Sequence, residues 1–419
     1  MEMIFAVISD VHIKSYKSKD EEKLDLAFRR LKDYKEKLDG IIITGDITNS
    51  GSKKEYKKFN NIYSQYSNCL GEKMFLMGNH DCWGGLSTKI AQKRFEKSMN
   101  ETIHSHKIIK GYHFIAISTE GKSLNGVFNR KLLNWLKNQL EEATKDDDKK
   151  PIFLGVHQHI KDTVYGSKGW GTEKLYNILK DFPQVITFSG HSHYPLNDER
   201  TIHQKDFTSV GAGSTSYMEL EKGKMNGTVP SKANKVSQGL IVKVCENNVV
   251  KISTIDFTKN YINEDRWIIR EPSNKMSFKY LDERRNFRVK PSFKAGSLID
   301  VKHITSNSVK INFTQAFHED FIHSYEVQVI NKSSGKSFKK LVFSDFYMEY
   351  VKARLSFRIK GLYPNTEYTM VIRAIESFGN KSDNYLTTNF KTLGLSVSNF
   401  INDRICSAFD LKERSIDFE

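Results

Sequence analysis

Met3-Ile4-Phe5-Ala6-Val7-Ile8-Ser9-Asp10-Val11-His12 opens the chain with six consecutive apolar residues that stop on a serine, an aspartate and a histidine. An apolar run of that length suits a strand buried on both faces. The polar residues that follow would then sit at the strand's carboxyl end, where open α/β sheets hold ligands. The same arrangement recurs downstream. Ile41 to Thr44 leads into Gly45-Asp46, and Met74 to Met77 into Gly78-Asn79-His80-Asp81. Ile152 to Val156 leads into His157-Gln158-His159, and Val185 to Phe188 into Gly190-His191-Ser192-His193. Phe114 to Ser118 is a further strand of the same kind.

Helical spacing lies between these runs. Lys19 to Leu38 places Leu24, Ala27, Phe28 and Leu31 on one face, with Gly40 as a stop. Arg130 to Ala143 does the same with Leu132, Leu133, Leu136 and Leu140, and Trp135 beside them. Strands alternating with helices predict a layered α/β domain over residues 1–270. Gly211 to Gly239 is polar and glycine-bearing and reads as a long loop or lid. Leu240 to Val244 and Val249 to Ile255 read as a closing hairpin turning at Asn247-Asn248. Residues 271–290 read as a polar, basic linker.

From 291 to 393 helical periodicity disappears. Val309 to Phe313, Tyr325 to Ile330, Leu355 to Ile359 and Thr369 to Ala374 alternate apolar and polar residues, as half-buried strands do. Leu362-Tyr363-Pro364-Asn365-Thr366-Glu367-Tyr368 resembles the L-x-P-x-T-x-Y signature of fibronectin type III domains. That resemblance implies an all-β sandwich with Tyr368 as a corner tyrosine. Residues 394–419 form a tail that offers only the expectation of a short helix.

Composition narrows the function classes. The 419 residues suggest two to three domains at roughly 150 each. No segment reaches the run of about 18 apolar residues that a membrane-spanning helix needs. Lys plus Arg is 65 against 50 Asp plus Glu, a formal net charge of +15, which favours anionic partners such as phosphate esters. The basic residues are spread along the chain rather than gathered in one tract. Four cysteines, Cys69, Cys82, Cys245 and Cys406, show no C-x-x-C spacing, so neither a disulfide framework nor a thiolate zinc site is expected. Without a signal-peptide pattern the chain reads as cytoplasmic as given, and as secreted if an export signal was trimmed.

The five polar motifs carry the chemistry. Carboxylates can bridge divalent ions, neutral imidazoles suit Mn, Fe or Zn, and an Asn oxygen is a weak neutral ligand. In order, they resemble the calcineurin-like metallophosphoesterase superfamily: D-x-H, G-D, G-N-H-D, a lone H, then G-H-x-H. The resemblance implies two divalent metal ions (Mn, Fe or Zn). The first would be held by Asp10, His12 and His193, the second by Asn79, His157 and His191, with Asp46 bridging both. It implies a metal-bridging hydroxide as nucleophile. It also implies His80 as the phosphate-stabilising residue and general acid, and Asp81 either orienting His80 or capping the local turn. Gly45-Asp46-Ile47-Thr48-Asn49-Ser50-Gly51 through Glu55-Tyr56 is most similar to class III cyclic nucleotide phosphodiesterases and glycerophosphodiesterases. Thr48 and Asn49 stand where purple acid phosphatases need a metal-binding tyrosine. Where many relatives read H-H-P, this chain reads His157-Gln158-His159, so His159 is an alternative ligand.

The function expected is a metal-dependent phosphoric ester hydrolase acting on phosphodiester or phosphomonoester substrates. One alternative is a nuclease, disfavoured because no aromatic–basic interleaving marks a strand-binding groove. Another is a scaffold binding a protein or polymer through the fibronectin-like domain. A relic site would be expected to lack at least one of the eight motif residues. His104, His106 and His113 match no motif, His203 is a candidate for the pocket wall, and Trp170 either stacks on substrate or anchors its loop. The loops Tyr165 to Thr172 and Gly211 to Gly239 carry no decodable substrate pattern.

Overall fold

The computed structural model of the protein describes residues 2–85, 87–222, 228–348 and 351–395. Most of the expected tail, and Cys406, lie outside the described residues. The chain divides into two compact units, Met1–Leu220 with Val229–Arg284 and Glu221–Thr228 with Arg285–Glu419.

The first unit is built on two six-stranded mixed sheets. One runs Tyr261–Ile269, Val250–Asp256, Gln238–Val244, Met3–Ile8, Gly40–Ile43, Glu72–Phe75. Its last three strands are parallel, and the others join antiparallel. The second sheet runs Ile202–Gln204, Thr208–Gly211, Val185–Ser189, Ile152–Val156, Tyr112–Ile117, His104–Ile109. Its four inner strands are parallel and its two edges antiparallel.

The opening strand explains the layering. Successive side chains point to opposite faces. Met3, Phe5 and Val7 enter the core between the sheets with Phe114, Phe153 and Phe188. Ile4, Ala6 and Ile8 enter a second core with Leu24, Phe28, Phe59 and Phe95. Those four belong to the helices Lys19–Lys32, Lys53–Tyr63 and Thr88–Met99. Helix Arg130–Asp146 covers the far face of the second sheet through Leu132, Leu136, Leu140 and Ala143. The result is a four-layer α/β/β/α sandwich, as the doubly buried strands require.

Several expectations shift. The first helix ends at Lys32 with Asp33 as its cap, and Gly40 starts a strand instead of stopping a helix. The hairpin turning at Asn247-Asn248 forms, and Tyr261–Ile269 extends it. The stretch read as a linker is held to the first unit through Arg284: Gln204 Oε1 accepts from Lys279 and Tyr280 amides at 2.9 and 3.1 Å, and Tyr280 packs against the inter-sheet core. Residues 212–220, read as part of a long loop or lid, form a loop without helix or strand that is mostly buried, because their Ser and Thr hydroxyls and amides bond the strand end at Ser9 and Asp10.

The second unit packs a three-stranded sheet (Ile299–Lys302, Ser308–Thr314, Arg354–Lys360) on a four-stranded one (Ser337–Phe343, Ser324–Asn331, Glu367–Ile375, Leu386–Lys391) around Ile311, Phe313, Tyr325 and Val327. The Tyr368 hydroxyl accepts from the Tyr363 amide at 2.9 Å, the tyrosine-corner bond of such sandwiches. No helix among the described residues is long and apolar enough to cross a membrane.

Candidate metal centre

All five motifs leave the carboxyl ends of parallel strands, three from the first sheet and two from the second. Crossing hydrogen bonds lace their turns together. The Asp10 amide donates to Gly45 O at 3.2 Å, and the Val11 and His12 amides to Asp46 O at 3.0 Å. The His191 amide donates to Asp10 Oδ2 at 3.0 Å, and the His80 amide to Asp46 Oδ1 at 2.9 Å. Five non-glycine residues here are left-handed: Asp10 (φ 53°), His12 (52°), Asp46 (49°), His191 (69°) and His193 (56°). Side chains adopt that region uncommonly, and its clustering points to a functional site. Gly78 and Gly190 are required by close approach, since a Cβ on either would collide with the carboxylate of Asp46 or Asp10.

The side chains converge. His193 Nε2 lies 3.2 Å from Asp10 Oδ1 and 3.1 Å from His12 Nε2. His12 Nε2 is 3.8 Å from both Asp10 Oδ1 and Asp46 Oδ2. His157 Nε2 is 3.2 Å and His80 Nε2 4.0 Å from Asp46 Oδ2. Asp10, His12 and His193 form one group able to hold an ion, and Asp46, His157 and His191 another. A third, His12, Asp46 and His80, lies between them and shares a residue with each. Second bonds orient the rings: His157 Nδ1 meets Thr44 O at 2.8 Å, His193 Nδ1 meets Tyr217 O at 3.0 Å, and His80 Nδ1 meets Asn49 O at 3.1 Å. For His157 and His193, donation to those carbonyls leaves an Nε2 lone pair facing the cluster, as metal-ligating histidines require.

The residues fit divalent cations. Asp10 Oδ1, both amide atoms of Asn79, His157 Nε2 and His191 Nε2 are buried without a hydrogen-bond partner. Buried polar atoms are normally paired, and so many without hydrogen bonds on adjoining strand-end turns are what a cation's ligands look like when considered alone. The charges agree. Burial alone would raise the Asp46 carboxyl, but His157, then His80 and His12, hold it well below the usual range. Asp10 is likewise lowered against burial, chiefly by His193. Burial would lower the His157 imidazole, yet Asp46 and Asp10 raise it to about 9. Burial, aided by His157, pushes His191 down to about 3. These carboxylates stay ionised and draw positive charge toward them. The cluster suits divalent metal binding.

The remaining candidates separate. The Asp81 carboxylate braces the Asp46 loop, accepting from the Ile47, Thr48 and Gly78 amides and the Thr48 and Tyr56 hydroxyls. Orienting His80 falls instead to Asn49 O. Burial, then the charge of Asp46, raises Asp81 to about 6. His159, the alternative ligand, turns its ring nitrogens to Ser189 and Ser192 hydroxyls, each at 2.7 Å. His203 pairs with Asp282 at 3.2 Å. His106 and His113 bond one another at 2.7 Å beside helix Arg130–Asp146. Trp170 meets His191 edge-on, with ring centroids 5.3 Å apart. Two neighbours escaped the sequence reading. Trp83 lies against His80 with centroids 3.5 Å apart and is 43% exposed. Tyr217 lies 4.3 Å from His193. Trp83 follows His80 by three residues and was within reach of the motif. Tyr217 had no signal in its loop.

A layered α/β sandwich whose strand ends gather aspartates and histidines into a cation site defines a metal-dependent phosphoesterase. Residues 3–195 match the family model of the calcineurin-like phosphoesterases, and residues 295–388 that of the fibronectin type III domain. The chain therefore carries a calcineurin-like phosphoesterase domain and a fibronectin type III domain, and it is a hydrolase of phosphoric esters. It is 29% identical over 209 residues to a protein of Arcobacter nitrofigilis named a probable glycerophosphodiester phosphodiesterase, covering 46% of this chain and 72% of that one. It is 24% identical over 232 residues to a 3',5'-cyclic-nucleotide phosphodiesterase of Nostoc sp., covering 51% and 78%. A purple acid phosphatase from yellow lupin seeds overlaps 63% of this chain and 53% of its own at 10% identity, with a TM-score of 0.45.

Proposed function

We propose that the centre holds two divalent ions, drawn from Mn, Fe and Zn, and hydrolyses phosphodiesters in preference to monoesters. Asp10, His12 and His193 would hold one ion and Asn79, His157 and His191 the other, with Asp46 shared. The observation that carries this reading is the gathering of Asp10, His12 and His193, and of Asp46, His157 and His191, into two buried groups whose ligand atoms lie within 4.8 Å of one another. When bound, two such ions supply Lewis-acid stabilisation of a phosphoryl group and lower the pKa of a water.

The chain's own groups do the rest. His80 is the one half-buried imidazole whose Nε2 faces the cluster and whose ring is fixed, by Asn49 O on one nitrogen and Trp83 on its face. In its doubly protonated form, with Nδ1–H on Asn49 O, its Nε2–H is placed to hydrogen-bond a phosphate oxygen and to pass that proton to the departing alkoxide. The preference for diesters is supported by the names of both relatives, whose substrates are diesters.

The test is hydrolysis of bis(p-nitrophenyl) phosphate and p-nitrophenyl phosphate by metal-stripped protein before and after manganese, with metal content counted in parallel. Metal-dependent activity greater on the diester is expected. Faster monoester turnover would overturn the diester preference, and a single bound equivalent at full activity would overturn the shared-carboxylate assignment.

A further inference from the structure

The second unit carries a feature that the phosphoesterase centre does not use. Its three-stranded sheet alternates strictly, with Val301, Ile311 and Phe357 among the side chains turned to the core. On the outward face Lys302 stands opposite Lys310, and Lys310 opposite Arg358. Three cations therefore line up across three neighbouring strands. Lys360, opposite Ser308, continues the pattern one step along the strand. The three lysines are exposed, and Arg358 donates to Ser308 Oγ at 3.2 Å. Asn307, Ser308, Arg358 and Lys360 line an open depression beside the row.

Like charges directly opposite one another across strands about 4.8 Å apart destabilise a sheet. The other sheet of the same unit avoids this: Glu326 sits between Lys339 at 3.7 Å and Lys381 at 2.7 Å, and Lys332 pairs with Glu367 at 3.3 Å. On the three-stranded face the acidic Asp300 is engaged with Arg354 at 2.7 Å. Among the described residues no ion pair joins Lys302 or Lys310 to a carboxylate. Lys302, Lys310 and Arg358 thus form a line of like charge across three strands, which suits repeated anionic groups better than a single ion.

We propose that this face binds a linear phosphodiester polymer that carries no bases. The outward positions of the three strands are Asp, Lys, Ser, Asn, Thr and Arg, with no aromatic on which nucleobases could stack. A guanidinium fork among ammonium groups suits phosphate oxygens. The choice of phosphate rests on the chain's being a phosphoric ester hydrolase; the cation row does not. A polymer held by one unit is offered to the other at raised local concentration, because the two are covalently joined.

The experiment titrates the full chain with a poly(glycerol phosphate) chain across a range of salt, by calorimetry. K302E/K310E/R358E is expected to weaken binding at least tenfold. It should also flatten the slope of log K against log salt by about 2, at about 0.7 for each phosphate no longer neutralised. The charge-matched control K53E/K54E/K57E, on an exposed helix face of the first unit, should change it less than twofold. Lys310→Glu alone converts the row to alternating signs, so it should keep or raise the melting temperature while still weakening the polymer, which separates lost binding from lost folding. Equal weakening by the control, absence of binding by the wild type, or equally tight binding of a matched oligo(dT) would each overturn the proposal.

Discussion

Asp81→Ala separates a brace from a catalytic group. Removing the carboxylate leaves three buried amides, those of Ile47, Thr48 and Gly78, without their acceptor. Each orphaned buried donor costs about 1–3 kcal/mol, so the sum is roughly 3–9 kcal/mol before relaxation. A water entering the space left by the carboxylate would recover part of this, which places the expected loss near 3–5 kcal/mol, still large for one substitution. At about 2–4 °C per kcal/mol for a unit of this size, the melting temperature should fall by about 10 °C. All four tryptophans (Trp83, Trp135, Trp170, Trp267) lie in the first unit, so their fluorescence follows its unfolding separately from the sandwich. Asp81→Asn should fall in the same direction by less, since an amide keeps one acceptor and brings two donors into a ring of donors. An unchanged melting temperature with turnover lost in Asp81→Ala would refute the brace and return Asp81 to the catalytic group.

Asp46→Ala should lose bound metal and hydrolysis together, because its carboxylate lies within 4.0 Å of ring nitrogens on His12, His80 and His157; full metal content by elemental analysis would speak against sharing. His80→Ala should retain metal and lose about 10²-fold or more in kcat, and loss of metal from that variant would count against its assigned role. Gly190→Ala should weaken metal affinity in a competition with a chelator, since the added Cβ collides with Asp10 and Ser9. Burial lowers His104 from 6.5 to about 4. Between those values the unfolded chain binds a proton that the folded one does not, so stability rises with pH through that window and is lost below it. His104→Leu should flatten the urea midpoint between pH 7 and pH 5 by the equivalent of about 2 kcal/mol; parallel profiles for both proteins would refute this.

What the sequence made legible follows from where side-chain identity alone carries the information. Strands buried on both faces advertise themselves as apolar runs, and their polar ends stand out by contrast, so Asp10, Asp46, Asn79, His157 and His191 were readable. Edge strands are not so marked. His104–Ile109 and Ser337–Phe343 are mostly half-exposed and mix Lys, Ser and His with apolar residues, which dilutes both periods. Helix Lys53–Tyr63 had a readable start, the capping box of Ser52 and Glu55, hidden within the stretch read as a family pattern. That pattern has a physical basis: Glu55 caps the helix, while Thr48 and Tyr56 give their hydroxyls to Asp81. The segment after Gly211 was readable as a loop but its burial was not, because serine, threonine and glycine suit both an exposed loop and a buried one. Partners distant in sequence decide between them, here Ser9 and Asp10 across some 200 residues.

The left-handed residues join these observations into one argument. Each of the five costs on the order of 1 kcal/mol relative to an ordinary backbone conformation, and Asp and His tolerate it better than branched residues do. Nothing local selects it. It is imposed by bonds between turns: Asp10 is tied to Gly45 and Ser216 through the backbone and to His191 through its carboxylate. Asp46 is tied to Val11, His12 and His80. These turns therefore depend on the carboxylate or carbonyl of one another, and the two aspartates build the scaffold in addition to the cation-holding role proposed for them. A substitution at either must disturb that scaffold, whereas His80 joins the lattice through its amide and Nδ1 and keeps Nε2 for the proton chemistry proposed for it. The proposed division between residues that build the centre and the one that does its proton chemistry thus rests on which atoms the lattice uses.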